Sequence, residues 1–467
     1  MSTDPGNTTE KPRNVLFVFA DQMHAFAMGC MGNKSVLTPN LDRLAEKGAL
    51  FDSCYSCNAV CTPYRAALFT GRYSSQTGII NNDCKPIPEG ERTIADCLND
   101  HSVHTSYVGK WHIGKEPGRR NVGVPPHLRG GFTDFIGYQC WNDFIQDVLF
   151  FDEDGNERRC DKHRLTAATD IALERLGRIR DEPFAMFVSY QAPHKPVQPS
   201  EEYVRLYDDI DIELPPNFQE IEGAHLGDGA AYPWEGYPEY LKEGTDTVHY
   251  IKLYNAIITQ MDAQIGRLMS QLEEWGIADS TMVVFTSDHG DLQGCHGLRN
   301  KHAPFEYSTR VPLIIYNPQG PAGVRVSEHI GTVDFLPTIL DWCGAPPSPL
   351  SEGRSLLPFT RGETVDGENM VFSENFLRRF PYRMLVKDNI KLVVHAVTGE
   401  ATHLFDLTHD PYEMNNLVDN PDWAAKRDEL HQRLDTFYVD IVSRRNPNAI
   451  WDPLWQTDSE HSPVPYK

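Results

Sequence analysis

The sequence predicts an α/β protein: a large central sheet, mixed but mostly parallel and flanked by helices, and a smaller C-terminal antiparallel sheet with a helix. Three features of the chain predict it. From residue 14 to about residue 345, short apolar runs alternate with helical patterns, as in a sheet covered on both faces. A composition shift follows at "PPSPLSEGRSLLPFTRGE" (346–363), and beyond it the pattern becomes strand, turn, strand. The length of 467 residues suits one large domain plus a smaller one. The expected division is an N-terminal domain over 1–350 and a C-terminal subdomain over 351–467.

Each element has its own signal. "NVLFVFA" (14–20) is a short continuous apolar run, the mark of a buried strand. "LTPNLDRLAEKGA" (37–49) reads as a loop and a helix. "CNAVCTPYRAALFTGR" (57–72) predicts a second helix, with Thr62 as N-cap, Pro63 as first helical residue and Gly71 as its end. "TSYVGK" (105–110) and "FAMFVSY" (184–190) are strands, separated by the amphipathic helix "HRLTAATDIALERLGRIR" (163–180). A long helix over 247–276 precedes the strand "TMVVFTS" (281–287). "VPLIIY" (311–316) is a further strand and "VDFLPTILDWCG" (333–344) a helix. Residues 196–246, which include "YPWEGYPEY", are rich in proline, acid and aromatic residues and too long for an ordinary connection. Both a substrate-facing insertion and a surface loop fit that stretch. In the C-terminal part, "YRMLVKDNIKLVVH" (382–395) and "THLFDLTHDPYEMNNL" (402–417) read as antiparallel strands with turns, followed by a helix over 421–443 and a Pro- and Trp-containing tail.

Composition removes several functions. The formal net charge of -23 argues against nucleic-acid and anionic-membrane binding. No apolar run approaches membrane-spanning length. The N-terminal "MSTDPGNTTEKPRN" is polar, so the expected location is the cytoplasm, or the periplasm or exterior if a signal has been removed. Ten dispersed cysteines fit a reducing compartment. Cys54, Cys57 and Cys61 have C-x2-C-x3-C spacing, but zinc normally needs a fourth ligand from a second matched pair, and none is present.

Polar clusters fall just after the predicted strands: "ADQ", "GKWHIG" (109–114), "QAPHKP" (191–196) and "SDHGD" (287–291). Open α/β sheets bind ligands outside the carboxyl ends of their strands. One pocket would therefore collect Asp21, Gln22, Lys110, His112, His194, Asp288, His289 and, from the next loop, Lys301. Taken singly, each has an ordinary reading: a helix-capping Asp, a hydrogen-bonded structural His, a surface Lys. Jointly, their types suggest a job. Asp21 and Asp288 supply hard anionic oxygens for a divalent cation, Gln22 a neutral oxygen and His289 a nitrogen. Lys110, Lys301, His112 and Arg65 supply positive charge or hydrogen-bond donors. A cation among clustered donors suits an oxyanion ester, whose non-bridging oxygens gain charge in the transition state. Cys61, at the positive end of its helix, sits where thiolates and anions are favoured. A buried structural thiol, a nucleophile and a group made from cysteine all fit that position.

These residues resemble a known family. "CTPYR" (61–65) matches the C-x-P-x-R signature of type I sulfatases, within the alkaline-phosphatase-like superfamily. It comes with "ADQ", "TPNLDRLAEKG", "LFTGRY", "GKWHIG", "PHKP", "SDHGD" and Lys301, in the family's order, and "HLFDLTHDPYEMNNL" resembles the small-sheet segment. The resemblance implies that Cys61 is oxidised to formylglycine by a maturation enzyme that reads the signature in the unfolded chain. One hydroxyl of the hydrated aldehyde attacks sulfur and displaces the alcohol; deprotonating the other expels sulfate. The resemblance further implies that Asp21, Cys61, Asp288 and His289 hold one divalent metal, expected to be calcium, with manganese or magnesium as alternatives; Gln22 either joins them as a ligand or only touches substrate. Arg65 orients the formylglycine, Lys110 and His112 contact its hydroxyls, Lys301 binds sulfate oxygens, and His194 protonates the leaving oxygen.

Two positions depart from the commoner pattern. Many members have Asp-Asp where this chain has Asp21-Gln22, and Asn where it has His289. The Gln and His forms occur in choline sulfatases and phosphonate monoester hydrolases. The expected activity is hydrolysis of sulfate monoesters, foremost of sulfated carbohydrates. The alternatives are a phosphonate or phosphate ester hydrolase, a choline-sulfatase-like enzyme, and a non-catalytic binder with unconverted Cys61.

Overall fold

Strand β1 (Asn14–Asp21) is buried at every residue, because other strands cover both of its edges and helices cover both of its faces. The structure, a computed structural model, describes residues 13–82, 85–115, 121–141, 143–220, 238–241, 247–377 and 380–449. The N-terminal segment, most of the 221–246 stretch and the C-terminal tail lie outside the described residues.

The large sheet has eleven strands. Besides β1 they are β2 (Ala49–Tyr55), β3 (His104–Lys110), β4 (Asp134–Tyr138), β5 (Leu149–Phe151), β6 (Glu157–Arg159), β7 (Phe184–Pro193), β8 (Thr281–Ser287), β9 (Arg310–Val311), β10 (Leu313–Tyr316) and β11 (Val324–Gly331). Their order is β11-β2-β10-β8-β1-β7-β3-β4-β5-β6, with β9 on β2. The central block β8-β1-β7-β3-β4 is parallel. Strand β10 runs antiparallel between β8 and β2, and β5 and β6 extend the other edge antiparallel. In register, Ala20 faces Ser287, Asp21 faces Pro193 and Lys110 faces Tyr138. The carboxyl ends of the central strands therefore meet along one edge.

Alternate residues of β1 feed opposite cores, as the pleat requires. Leu16 and Val18 pack with α1 (Pro39–Lys47), α5 (Arg164–Ile179), α6 (Glu201–Arg205) and the long α7 (Thr247–Glu274). Val15, Phe17 and Phe19 pack with α2 (Cys61–Thr70), α4 (Ile94–Asp100), α9 (Phe335–Cys343) and α10 (Leu357–Thr360). The short α3 (Ser74–Thr77) follows α2, and α8 (Glu306–Thr309) precedes β9. Among the described residues no helix is long and apolar enough to cross a membrane.

The second sheet is antiparallel, β12 (Met370–Asn375), β13 (Tyr382–Lys387), β14 (Ile390–His395) and β15 (Ala401–Asp406), in that order. Helix α11 (Ala424–Ser443) covers it with Leu430, Leu434 and Ile441 against Phe372, Leu392 and Leu404. A buried ion pair ties it to the larger unit: Lys391 on β14 reaches Glu306 at 2.9 Å, and it also pairs with Glu413 of its own C-terminal part at 2.7 Å.

Several local details differ from the sequence reading. Helix α2 begins at Cys61 with Val60 as N-cap, so Thr62 does not cap it. The Thr62 hydroxyl instead donates to the His112 carbonyl at 2.7 Å, and the Thr62 amide donates to Asn82 Oδ1 at 3.0 Å. Gly71 ends the helix at φ 67°, as expected of a left-handed cap. The stretch 311–316 is two strands, β9 and β10, separated at Pro312, which has no amide hydrogen to donate to a ladder. Strands β2, β4, β5, β6, β11 and β12 were not signalled as apolar runs. In β2, Asp52 and Ser53 interrupt "ALFDSCY"; in β11, charged residues interrupt "VRVSEHIG".

Candidate active site

The edge where the parallel strands end carries the charged residues. Asp21 closes β1, Lys110 closes β3, His194 follows β7, and Asp288 and His289 follow β8. The N-terminus of α2 points into the same place and brings Cys61 and Arg65. Lys301 comes from the loop between β8 and α8. Asp21, Gln22, Arg65, Lys110, Asp288 and His289 are fully buried, and Cys61, His112, His194 and Lys301 nearly so.

Charges are paired within this buried space. Lys110 Nζ lies 2.6 Å from Asp21 Oδ2, and Arg65 Nη2 lies 3.1 Å from the same oxygen and 3.4 Å from Asp288 Oδ2. The other guanidinium nitrogen donates to the Lys110 carbonyl at 2.6 Å and to Ser189 Oγ at 2.8 Å. The guanidinium also lies over the Phe19 ring, 5.0 Å from its centre. Arg65 is thus a fixed brace joining α2 to the ends of β1, β3, β7 and β8.

Cys61 Sγ is 3.0 Å from Lys301 Nζ, 3.3 Å from His289 Nε2 and 3.7 Å from Asp21 Oδ1. His289 Nδ1 faces the Gly290 carbonyl at 3.0 Å, so that nitrogen carries the hydrogen and Nε2 turns its lone pair to the cluster. His194 is set the same way: Nδ1 donates to the Lys195 carbonyl at 2.6 Å, which leaves the lone pair on Nε2. His112 adopts φ 65°, and its Nδ1 is buried without a hydrogen-bond partner among the described residues.

Burial and neighbouring charge set the protonation states. Burial works against ionised Asp21, but Lys110, His194, Lys301 and Arg65 together hold its carboxyl well below the usual range. Asp288 is pushed up, first by burial and then by Asp21. Burial also opposes charge on Lys110 and Lys301, yet both stay above the ordinary lysine value, Lys110 through Asp21 and Cys61, Lys301 through Cys61 and Asp21. Burial lowers His289 to about 4 and takes His112 and His194 well below the usual histidine range, with Lys110 adding to the effect on both.

Oxygen, nitrogen and sulfur donors from Asp21, Cys61, Asp288 and His289 all lie within 4.8 Å of one another. Two carboxylates, one correctly turned imidazole and one side chain at a helix start make a donor set that fits a single divalent cation. Cys54 and Cys57 are buried elsewhere, and the Cys57 amide is bound to Thr332, so the C-x2-C-x3-C spacing does not gather a thiol cluster.

The structure brings all nine sequence-predicted residues and Arg65 to one edge of the sheet. It adds groups that the sequence reading missed. Ser189 and Tyr107 hold Arg65, the latter at 3.4 Å. Asp291 and Tyr254 hold Gln22, and Tyr250 in turn holds Asp291. Asp291 stands in the "SDHGD" motif, but its partner Tyr250 lies on a helix whose repeat reads as core.

Fold and site together define a hydrolase of the alkaline-phosphatase-like superfamily. The sulfatase family profile matches residues 13–345, and a second, described as N-sulphoglucosamine sulphohydrolase, C-terminal, matches 294–440. The chain belongs to the sulfatase family and is a sulfuric ester hydrolase. It is 32% identical over 443 residues to the uncharacterized sulfatase YidJ of Escherichia coli (strain K12), covering 91% of this chain and 86% of that one. It is 26% identical to the N-acetylglucosamine-6-O-sulfatase of Bacteroides thetaiotaomicron, covering 92% of this chain and 87% of that one. The solved structure of BT4656 in complex with its substrate D-glucosamine-2-N,6-O-disulfate superposes with a TM-score of 0.80 at 24% identity, over 94% of this chain and 99% of that one.

Proposed function

We propose that this enzyme hydrolyses sulfate monoesters of carbohydrates, with Cys61 converted to formylglycine and one divalent cation, calcium, held by Asp21, Gln22, Cys61, Asp288 and His289. The observation that carries the reading is the place of Cys61. It is the first residue of α2, with Lys301 Nζ at 3.0 Å and His289 Nε2 at 3.3 Å, inside the only His, Cys, Asp and Glu cluster of metal-binding size among the described residues. A simple structural thiol has no need of a lysine and a donor set around it.

When formed, the aldehyde hydrate supplies a nucleophilic oxygen, and the cation supplies positive charge beside the sulfate oxygens. This chain's residues do the rest. Lys301 binds the sulfate oxygens and stabilises charge as the S–O bond breaks, and Lys110 contacts the hydroxyls at position 61. Arg65 fixes the start of α2, so that residue 61 cannot turn away. His112 Nδ1 has no hydrogen-bond partner among the described residues, and a hydroxyl at position 61 is assigned to it. His194 presents Nε2 on the leaving-group side. The anionic ester draws a proton onto that nitrogen against the effect of burial, and the proton passes to the departing sugar oxygen.

Maturation must precede folding. Cys61 is 1% exposed, and every residue of the signature is buried in α2, so a modifying enzyme can reach them only in the unfolded chain. The carbohydrate assignment draws support from the relative named as an N-acetylglucosamine-6-O-sulfatase and from the glucosamine disulfate bound in BT4656.

A second reading, hydrolysis of phosphonate or phosphate esters, is favoured by Gln22 and His289. Neutral donors at these positions reduce the negative charge facing an incoming oxyanion. One experiment tests both. Active enzyme is analysed by peptide mass, then assayed on defined sulfated sugars and on matched phosphate and phosphonate esters. The expected result is formylglycine at 61, free sulfate as the faster product, and no turnover by Cys61→Ala. Full activity with an unmodified thiol would refute the mechanism, and faster phosphonate hydrolysis would install the second reading.

A further inference from the structure

Gln22 is tied at every polar position. Its backbone adopts φ 73°, which a non-glycine residue rarely takes without support. Its amide donates to Asp288 Oδ1 at 3.0 Å, and its carbonyl accepts from Tyr254 OH at 2.8 Å. Its side-chain Nε2 donates to Asp291 Oδ2 at 2.9 Å, and that same carboxylate oxygen accepts from Tyr250 OH at 2.6 Å. Asp291 Oδ1 takes the Gln293 amide at 3.3 Å. Asp291 is 2% exposed and Gln22 fully buried.

A carboxylate accepts hydrogen bonds and donates none. Asp291 therefore takes the NH2 half of the Gln22 amide and leaves one orientation. Oε1 points the other way and faces Lys301 Nζ at 3.4 Å. An oxygen aimed into the cluster attracts a cation and repels sulfate oxygens; an NH2 aimed there would do the reverse. A carboxylate at 22 would bring two like charges together across the same 2.9 Å contact. The acid at 291 thus accounts for the amide at 22.

We propose that Asp291 is a positioning residue that fixes the Gln22 amide with its oxygen toward the metal, so that Gln22 serves the cation and not the sulfate group. The inference rests on the calcium assignment made under Proposed function. Tyr250 supports it from behind by holding Asp291 through the oxygen that Gln22 also uses.

The test is a cycle on the full-length matured enzyme, with calcium alone as the probe and the calcium-dependent rise in melting temperature as the readout, alongside kcat/KM. Asp291→Asn offers the Gln22 amide both an acceptor and a donor, so the single orientation is lost. Gln22→Met removes the amide. Each variant is expected to weaken calcium binding about 10–100-fold, the usual scale for a residue that orients a metal ligand. In the Gln22→Met background, Asp291→Asn should cost nothing further. The reversed pair, Gln22→Glu with Asp291→Asn, should bind calcium more tightly than Gln22→Glu alone, because the amide introduced at position 291 can then donate to the carboxylate introduced at position 22. A wild-type affinity in Asp291→Asn, or losses that multiply in the Met background, would overturn the proposal while wild-type calcium binding keeps the metal assignment. If Asp291→Asn fails to fold, recovery in the reversed pair supports the coupling, and failure of both overturns it. A wild type that gains nothing from calcium counts against the metal assignment itself and, with it, against this role for Asp291.

Discussion

Lys110 Nζ and Asp21 Oδ2 stand 2.6 Å apart with both side chains fully buried, and Arg65 shares the same oxygen at 3.1 Å. Breaking a buried pair leaves an uncompensated charge and costs about 3–5 kcal/mol. Lys110→Met keeps the stem and removes the ammonium. It is expected to lower the melting temperature by several degrees and the turnover by at least ~100-fold. Thermal melts and sulfate release on one preparation check both, and a variant equal to wild type in the two would show the pair to be dispensable.

His194 is expected to act as the acid for the leaving group. A sugar alkoxide leaves poorly without a proton, whereas a nitrophenolate needs no such help. His194→Ala should slow a sulfated sugar by about 10²–10⁴-fold and 4-nitrophenyl sulfate clearly less. Equal losses on both esters would pass the acid role to His112, which is also buried at this edge of the sheet. A mainly thermal defect would make His194 structural.

Removing a hard ligand should remove the metal. Asp288→Ala deletes one of the two carboxylates in the donor set, and metal content and activity should fall together. Elemental analysis of wild type and variant decides it, and a metal-free wild type with normal turnover would contradict the assignment.

Stability should depend on pH through Glu374 on β12. This carboxyl is fully buried; Oε1 accepts the Ser75 amide at 2.7 Å, and Oε2 has no hydrogen-bond partner among the described residues. Burial raises its pKa from 4.5 to about 7. The folded state therefore keeps a proton that the unfolded chain has released. The contribution is complete below pH 4.5 and is lost as pH rises through 7. Glu374→Gln carries no charge to bury. It should match wild type near pH 5 and be more stable at pH 8, by on the order of 3 kcal/mol. Denaturant melts at the two pH values give the comparison; a difference that does not change with pH would show that Glu374 ionises freely in the fold.

Much of this architecture is legible in the chain because its signals are local. The runs that became β1, β7 and β8 are buried on both faces, so they are apolar throughout. The polar clusters directly after them mark the edge where the candidate site residues gather. Strands β2 and β11 escaped because Asp52 and Arg325, which pair with each other across those neighbouring strands at 2.8 Å, make both segments look like loop. Their strand character comes from a partner far away in sequence, not from their own pattern.

The sequence by itself determined the fold class, the family resemblance, and the residues that would stand at the ends of the parallel strands, since all of these follow from periodicity and short motifs. Only the tertiary structure decided how those residues face one another. Cys61 became the first residue of α2 and not its forerunner, because residues 60 and 112 set where the helix starts and what Thr62 bonds. The orientation of Gln22 was settled by Asp291 and Tyr250, more than two hundred residues away along the chain. A hydrogen bond needs a donor and an acceptor brought within about 3 Å at the right angle, and neither composition nor spacing encodes that meeting until the sheet has aligned its strand ends.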